Sequence, residues 1–544
     1  MVYFQWKAFT CFTTKEDNMK TLRKLVVSFV AMCMAVILPA SLSTKPVAAA
    51  TEAKISVYSI DAGRKYFSED QLKQLIDYAK ETGFTHVQLI LGNDGLRFIM
   101  DEMAIEANGK TYASDDVKNA IIEGTKEYYD DPNGTVLTEE EMDAVLAYAK
   151  KQHIGIIPAI NSPGHMDAIL NTMRTLGIDT PEFIYQGTAS KTTVDMANQE
   201  AIEFTKALVE KYALYFSDSV EYFNFGADEY ANDATYHGPS KKSGYLVLQE
   251  LGLYDNFITY INEMADMIKG NGMIPVCFND GIYYNQDDQN GEIDTDIVVA
   301  MWTPGFDRYT PASAQYLSDK GFKLINTNDN WYYVIGRDGN RSGWWYGTDM
   351  AERSIKSIKF NQLPGTSADN QIPTIGSMVC TWADEPQRAY KPEIVKGLME
   401  LFAENNPDYV FVRANYEVVD KALETIPSDL SIYTDESIAA LNSAIEKVVY
   451  NLKADQQEAV DAMAKAIVDA VAALEELPVE PETKPEVKPT PDPKPEVKPE
   501  VKPDQTIKPE ENPGTGDSSN LYLFATALIA SLGFMGYAFK KRMN

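Results

Sequence analysis

Between residues 55 and about 403, short apolar runs alternate with amphipathic helical patterns, which restricts the chain to folds built on a largely parallel sheet. Candidate strands are 55–60, 85–91, 154–160, 221–225, 273–278, 297–302, 323–326 and 374–381. Helical patterns fall at 68–82, 139–151, 201–215, 246–269 and 393–403. Strands buried on both faces and separated by helices over this length predict an α/β fold, a (β/α)8 TIM barrel spanning 51–411. A doubly wound open sheet is the competing topology.

In a barrel of this kind the active site lies at the carboxyl ends of the strands. Each candidate strand ends in polar or aromatic groups: Arg64, then Asn93 and Asp94, then 161–165 with His165, then Asp228 and Glu229. Asn279 and Asp280, Trp302, Trp331 and Tyr332, and Trp382 with Asp384 complete the set. Trp344 and Trp345 fall in a long loop after the seventh strand, within reach of a second ligand group.

The flanks read differently. Residues 434–477 form two amphipathic stretches joined near Asp455, with Asp455 and Glu458 patterned as a capping box, and 416–425 is a third candidate helix. Together they predict a small helical bundle over 412–477, acting as a spacer. Lys-Pro-Glu-Val repeats over 478–511 favour an extended stalk of roughly 100 Å, at about 3.1 Å per residue. Residues 1–50 carry Lys20, Arg23 and Lys24 before an apolar run and a small-residue stretch ending at Ala50, the pattern of a leader and signal peptide, with Met19 the better start. At 512–544, Asn512-Pro513-Gly514-Thr515-Gly516 precedes an apolar segment, 521–539, long enough to span a membrane, and then Lys540, Lys541 and Arg542. This order resembles the sortase sorting signals of Gram-positive bacteria, with Asn512 in place of the usual Leu. It implies sortase and cell-wall peptidoglycan as partners and a secreted, wall-anchored protein.

Composition narrows the chemistry. A formal charge of −31 disfavours nucleic acid as a partner. Four histidines without metal-ligand spacing predict no metal and no cofactor. Outside the leader only Cys277 and Cys380 remain, in separate apolar runs, and read as buried packing residues.

Asp228 and Glu229 are adjacent acids ending an apolar run, a costly placement unless chemistry uses it. Two opposed carboxylates about 5 Å apart serve ordinary retaining glycosidases. Neighbours along a strand point opposite ways, so this pair is expected instead to serve substrate-assisted cleavage, in which a 2-acetamido group is the nucleophile.

Gly226-Ala227-Asp228-Glu229 resembles the Gly-Gly-Asp-Glu signature of glycoside hydrolase family 20, the β-N-acetylhexosaminidases. Asn161-Ser162-Pro163-Gly164-His165 is similar to that family's Asp-x-Pro-Gly-His turn, and 59–64 to its first-strand arginine motif. The resemblance covers 55–410 and is nearest the wall-anchored exo-β-N-acetylglucosaminidases of Gram-positive bacteria. It implies an exo-acting, retaining hydrolase releasing terminal β-linked N-acetylglucosamine from glycans through an oxazolinium intermediate. By resemblance Glu229 is the proton donor and Asp228 holds the acetamido N–H. Arg64, Asn93, Asp94 and Asp384 belong to substrate binding, Trp302 and Trp382 wall the acetamido pocket, Tyr332 binds the acetamido oxygen and His165 contacts Glu229. Departures are Asn161 for Asp, Asn93 for the first Asp of a pair, Phe278 for a pocket Trp and Val334 for an Asp. The alternatives are a surface adhesin with a hydrolase-like pocket and a family 20 enzyme of other specificity, such as a lacto-N-biosidase. A family 18 chitinase-like enzyme expects Asp-x-x-Asp-x-Asp-x-Glu on the fourth strand, which 221–229 does not supply.

Overall fold

A computed structural model describes residues 54–129, 134–288, 290–339, 345–450 and 452–477. The leader, the Pro-rich stalk and the sorting segment lie outside the described residues, as does Trp344. Among the described residues no helix is long and apolar enough to cross a membrane.

Eight parallel strands close into a barrel: β1 Ile55–Asp61, β2 His86–Asn93, β3 Gly155–Ser162, β4 Tyr222–Gly226, β5 Ile274–Phe278, β6 Val298–Met301, β7 Lys323–Asn326 and β8 Gly376–Trp382. Closure is direct, with β1 hydrogen-bonded to β8 on one side and to β2 on the other, in the registers Ser59↔Cys380 and Ser59↔Gln88. The open doubly wound sheet is therefore excluded. Helices α1 Glu69–Thr82, α2 Glu139–Gln152, α3 Gln199–Phe216, α4 Tyr254–Gly270, α5 Ala314–Lys320, α6 Thr348–Ser357 and α7 Pro392–Asn405 pack outside. Capping boxes start α1 at Ser68–Gln71 and α2 at Thr138–Glu141, placing both starts where the sequence pattern put them. Among the described residues, the connection from β5 to β6 carries only a 3-10 turn, Tyr284–Gln286. The pattern at 246–269 is two helices rather than one, because Gly252 adopts φ 69° and closes Gly244–Leu251 before α4 begins.

Period-two alternation sorts the strand residues. Tyr58, Leu89, Phe223, Cys277, Val299 and Val379 face the helices in one large core, while Val57, Ile157, Val276, Val298, Ile325, Met378 and Cys380 fill the barrel. Both cysteines are buried and free, one on each side of the wall.

Beyond Val410 the barrel core ends and a separate apolar cluster begins at Ala414. Helices α8 Glu417–Glu424, α9 Asp435–Glu446 and α10 Gln457–Ala472 bury Val419, Leu441, Val460 and Ile467 against one another. The expected Asp455–Glu458 capping box is not formed. A 3-10 turn, Ala454–Gln456, leads into α10, and the backbone N–H of Lys453 donates to Gln456 Oε1 (2.9 Å). Removing the fully buried Leu441 side chain should cost roughly 2–5 kcal/mol. Because its cluster is separate from the barrel core, Leu441→Ala is expected to speed hydrogen exchange in α8, α9 and α10 and leave β1 to β8 unchanged.

Candidate active site

The site is built around the turn that ends β4. Inside the barrel Gln88 Nε2 donates to Ser59 Oγ (2.8 Å) and Asn224 Nδ2 to Gln88 Oε1 (2.9 Å), while Asn224 Oδ1 accepts from the backbone N–H of Gly226 (2.9 Å). Gly226 then takes φ 80°, and a Cβ there would meet Asn161 Oδ1 at 1.7 Å, so only glycine fits. Ala227 at φ 65° and Glu229 at φ 50° continue the left-handed turn. The expected strand alternation of Asp228 and Glu229 is thus overturned: the strand stops at Gly226, and both carboxylates swing to one cavity. His165 Nε2 lies 3.5 Å from Asp228 Oδ2 and 3.4 Å from Glu229 Oε2.

Charged groups of both signs crowd around the turn, with Arg64 Nη2 3.1 Å from His165 Nδ1. Arg64 Nε donates to Asp94 Oδ2 (2.8 Å), and its Nη1 reaches Asp61 Oδ2 (3.3 Å) and Asp384 Oδ1 (3.4 Å). Asp94 Oδ1 in turn lies 3.3 Å from His165 Nδ1. Burial would depress His165, but the carboxylates of Asp228 and Asp94 outweigh it and hold its pKa well above the ordinary imidazole value. Burial likewise opposes charge on Asp228, yet His165 and the Asn161 amide, which donates to Oδ1 at 2.8 Å, hold its pKa below the usual carboxylate value.

The cavity above the turn measures about 550 Å³. Phe278, Trp302, Tyr332 and Trp382 form its apolar wall, with ring centroids 6.3 Å apart for Phe278–Trp382 and 5.5 Å for Tyr332–Trp382. Asp384 completes the lining between Arg64 and Arg337, whose Nη2 is 3.2 Å away. Phe306, Tyr236 and the 70 % exposed Trp345 also line it. Arg64, His165, Asp228, Glu229, Trp302, Tyr332, Trp382 and Asp384 therefore meet in one cavity, as the strand-end pattern implied. Asn93 and Asp94 do not line it. Asp94 stands behind Arg64 and His165, and Asn93 Oδ1 lies 3.5 Å from Asn161 Nδ2. The departures Phe278 and Val334 both line the cavity.

Sequence reasoning did not single out Asp280 beyond its place at a strand end. It is fully buried, accepting from the Glu229 backbone N–H (2.8 Å), the Tyr309 hydroxyl (2.5 Å) and the Trp302 indole N–H (2.9 Å). Burial and the charge of Asp228 push it up to about 7, against the pull of its three donors. Its position two residues past Phe278, on the inward parity of β5, was the available signal. Asp61 and Tyr346 were likewise missed. Among the described residues no group of His, Cys, Asp and Glu is arranged to hold a metal.

The raised pKa of His165 sets a pH window. Its ion pairs stabilise the fold fully below the ordinary value of about 6.5 and are lost as pH rises through the raised value, while Asp94 and Asp228, both lowered, contribute above about 4. His165→Gln should cost roughly 3 kcal/mol between those limits, by taking the cationic partner from the buried Asp228, and progressively less at alkaline pH. Denaturant unfolding across pH measures the difference.

Residues 56–392 match the model of the catalytic domain of glycosyl hydrolase family 20. A structure of the family 20 catalytic modules of StrH, the pneumococcal exo-β-D-N-acetylglucosaminidase, is 46% identical, with a TM-score of 0.65, and the match covers 77% of this chain and 98% of that one. The lacto-N-biosidase of Bifidobacterium bifidum is 28% identical over 271 residues, 48% of this chain and 22% of that protein. β-Hexosaminidase subunit A1 of Dictyostelium discoideum is 22% identical over 334 residues, 60% and 54% respectively. The chain thus spans only part of the length of these two relatives. With the family match covering most of the barrel and a closed (β/α)8 architecture beneath it, the chain belongs to glycosyl hydrolase family 20.

Proposed function

We propose that this chain is an exo-acting β-N-acetylhexosaminidase releasing terminal β-linked N-acetylglucosamine with retention of configuration. The observation that carries the reading is a recessed, charged Asp228 beside a more open Glu229, both lining one cavity walled by Phe278, Trp302, Tyr332 and Trp382. Glu229 donates its proton to the glycosidic oxygen as the acetamido carbonyl oxygen attacks C1. The leaving sugar departs as an alcohol and an oxazolinium ion forms. Asp228, 8 % exposed and kept ionised by His165 and Asn161, accepts the acetamido N–H and balances the new positive charge. Glu229, now a carboxylate, takes a proton from water as that water attacks C1, which restores the acetamido group and the acid.

In the same scheme Tyr332 donates to the acetamido oxygen, with Trp302, Trp382 and Phe278 enclosing the methyl. Arg64 and Asp384 take the sugar hydroxyls, backed by Asp94. The likeness to StrH, whose structures concern N-glycan recognition and hydrolysis, supports N-glycan antennae as substrates. We also infer export and sortase-mediated attachment to peptidoglycan, on the strength of the leader and the 512–544 pattern alone. Recovery of the protein in the muramidase-released wall fraction tests it, and recovery only in the cytosol would refute it.

Hydrolysis of an aryl N-acetyl-β-glucosaminide should exceed that of the matching β-glucoside by at least about a hundredfold, since the glucoside lacks the internal nucleophile. Comparable rates on the two would sink substrate assistance. Glu229→Gln should lower kcat on a GlcNAc-terminated glycan by roughly 10²–10⁴ while leaving binding measurable. Binding by the unaltered chain without any release would instead favour an adhesin, and release of a disaccharide would favour lacto-N-biosidase specificity.

A further inference from the structure

Asp280 takes no part in the reaction as proposed above, yet it is among the most completely enclosed acids of the site. A buried carboxyl is costly unless donors converge on it, and three do, each from a different segment. Oδ2 accepts from the Glu229 main chain and from Tyr309 in the loop after β6, and Oδ1 accepts from the Trp302 ring at the end of β6. The main chain held by Oδ2 is at φ 50°, a sparsely populated region for a non-glycine residue, which persists only where neighbours fix it. The ring held by Oδ1 lines the cavity beside Phe278 and Trp382. Tyr309 is fully buried and lines no part of the cavity, so its hydroxyl serves the carboxyl rather than a ligand.

We propose that Asp280 is a positioning residue that ties the proton donor to the acetamido wall. One carboxylate sets the separation between the Glu229 main chain and the Trp302 ring. A substrate seated by its acetamido group against Trp302 then finds its glycosidic oxygen already at the Glu229 carboxyl. Loss of the tie lets the two drift apart, and the penalty falls on steps that need both at once. The proposal rests on the reading of Glu229 as proton donor.

The distinguishing measurement is leaving-group dependence in the full chain carrying Asp280→Asn, whose amide cannot accept all three donors. Two substrates are compared: a β-linked N-acetylglucosaminyl-mannose disaccharide, whose alcohol leaves only when protonated, and the 2,4-dinitrophenyl N-acetyl-β-glucosaminide, whose phenolate leaves without a proton. The expected result is a fall in kcat/KM at least about tenfold greater on the disaccharide than on the aryl substrate. Equal falls on the two, or none, would overturn the proposal, since a merely structural role lowers the amount of active protein for both alike. Should Asp280→Asn fail to fold, Trp302→Phe keeps a ring and removes the N–H, cutting the same tie from its other end. The same selective loss is expected there, and equal losses again overturn it. Glu229→Gln is the control on the underlying reading. If it spares disaccharide hydrolysis, Glu229 is not the donor and both readings fall, whereas an intact control with unselective Asp280→Asn removes this proposal alone.

Discussion

A carboxylate kept charged in a nearly dry place is the constraint on which the site depends. Asp228 is buried, and burial alone would keep it protonated. His165 and the Asn161 amide reverse that balance. His165 is itself enclosed, however, and keeps its proton because Asp228 faces one of its nitrogens and Asp94 the other. Asp94 is shared with Arg64, and Arg64 with Asp384, so a run of ion pairs connects the cavity lining to the reacting pair. In this setting Asn161 is physically suited to its place. An acid there would add a third negative group beside Asp228, whereas the amide supplies a donor at 2.8 Å.

The barrel turns that electrostatic requirement into geometry. The alternation that sends Tyr58, Phe223 and Val379 out to the helices sends Asp61, Asn224, Phe278 and Trp382 inward, and of these Phe278 and Trp382, the last residues of β5 and β8, form part of the cavity wall. Asn224 links the two levels. It belongs to the polar chain of the barrel interior and also holds the Gly226 N–H at the start of the catalytic turn. Strand closure and acid placement are therefore mechanically continuous.

Much of this was legible from residue order. The eight strands, the extents of α1 and α2, and the strand-end placement of Arg64, His165, Asp228, Trp302 and Trp382 followed from periodicity. What failed was local reasoning carried past the end of an element. Strand alternation was extended to Asp228 and Glu229 although Gly226 had already broken it. A single helix was read through Gly252, and a capping box was read at Asp455 where a 3-10 turn intervenes. Asn93 and Asp94 sat correctly at a strand end but face protein rather than the cavity, a distinction that depends on what packs against them.

The sequence by itself determined the barrel, the acids at the end of β4 and the aromatic character of the wall, because hydrophobic period and motif spacing are local properties of the chain. Only the tertiary structure decided that both acids share one histidine, that Asp94 is a support, and that Asp280 joins Glu229 to Trp302. Those relations hold between residues far apart in the chain. They are set by strand register, left-handed turns and the need of buried charge for partners, none of which a linear pattern records.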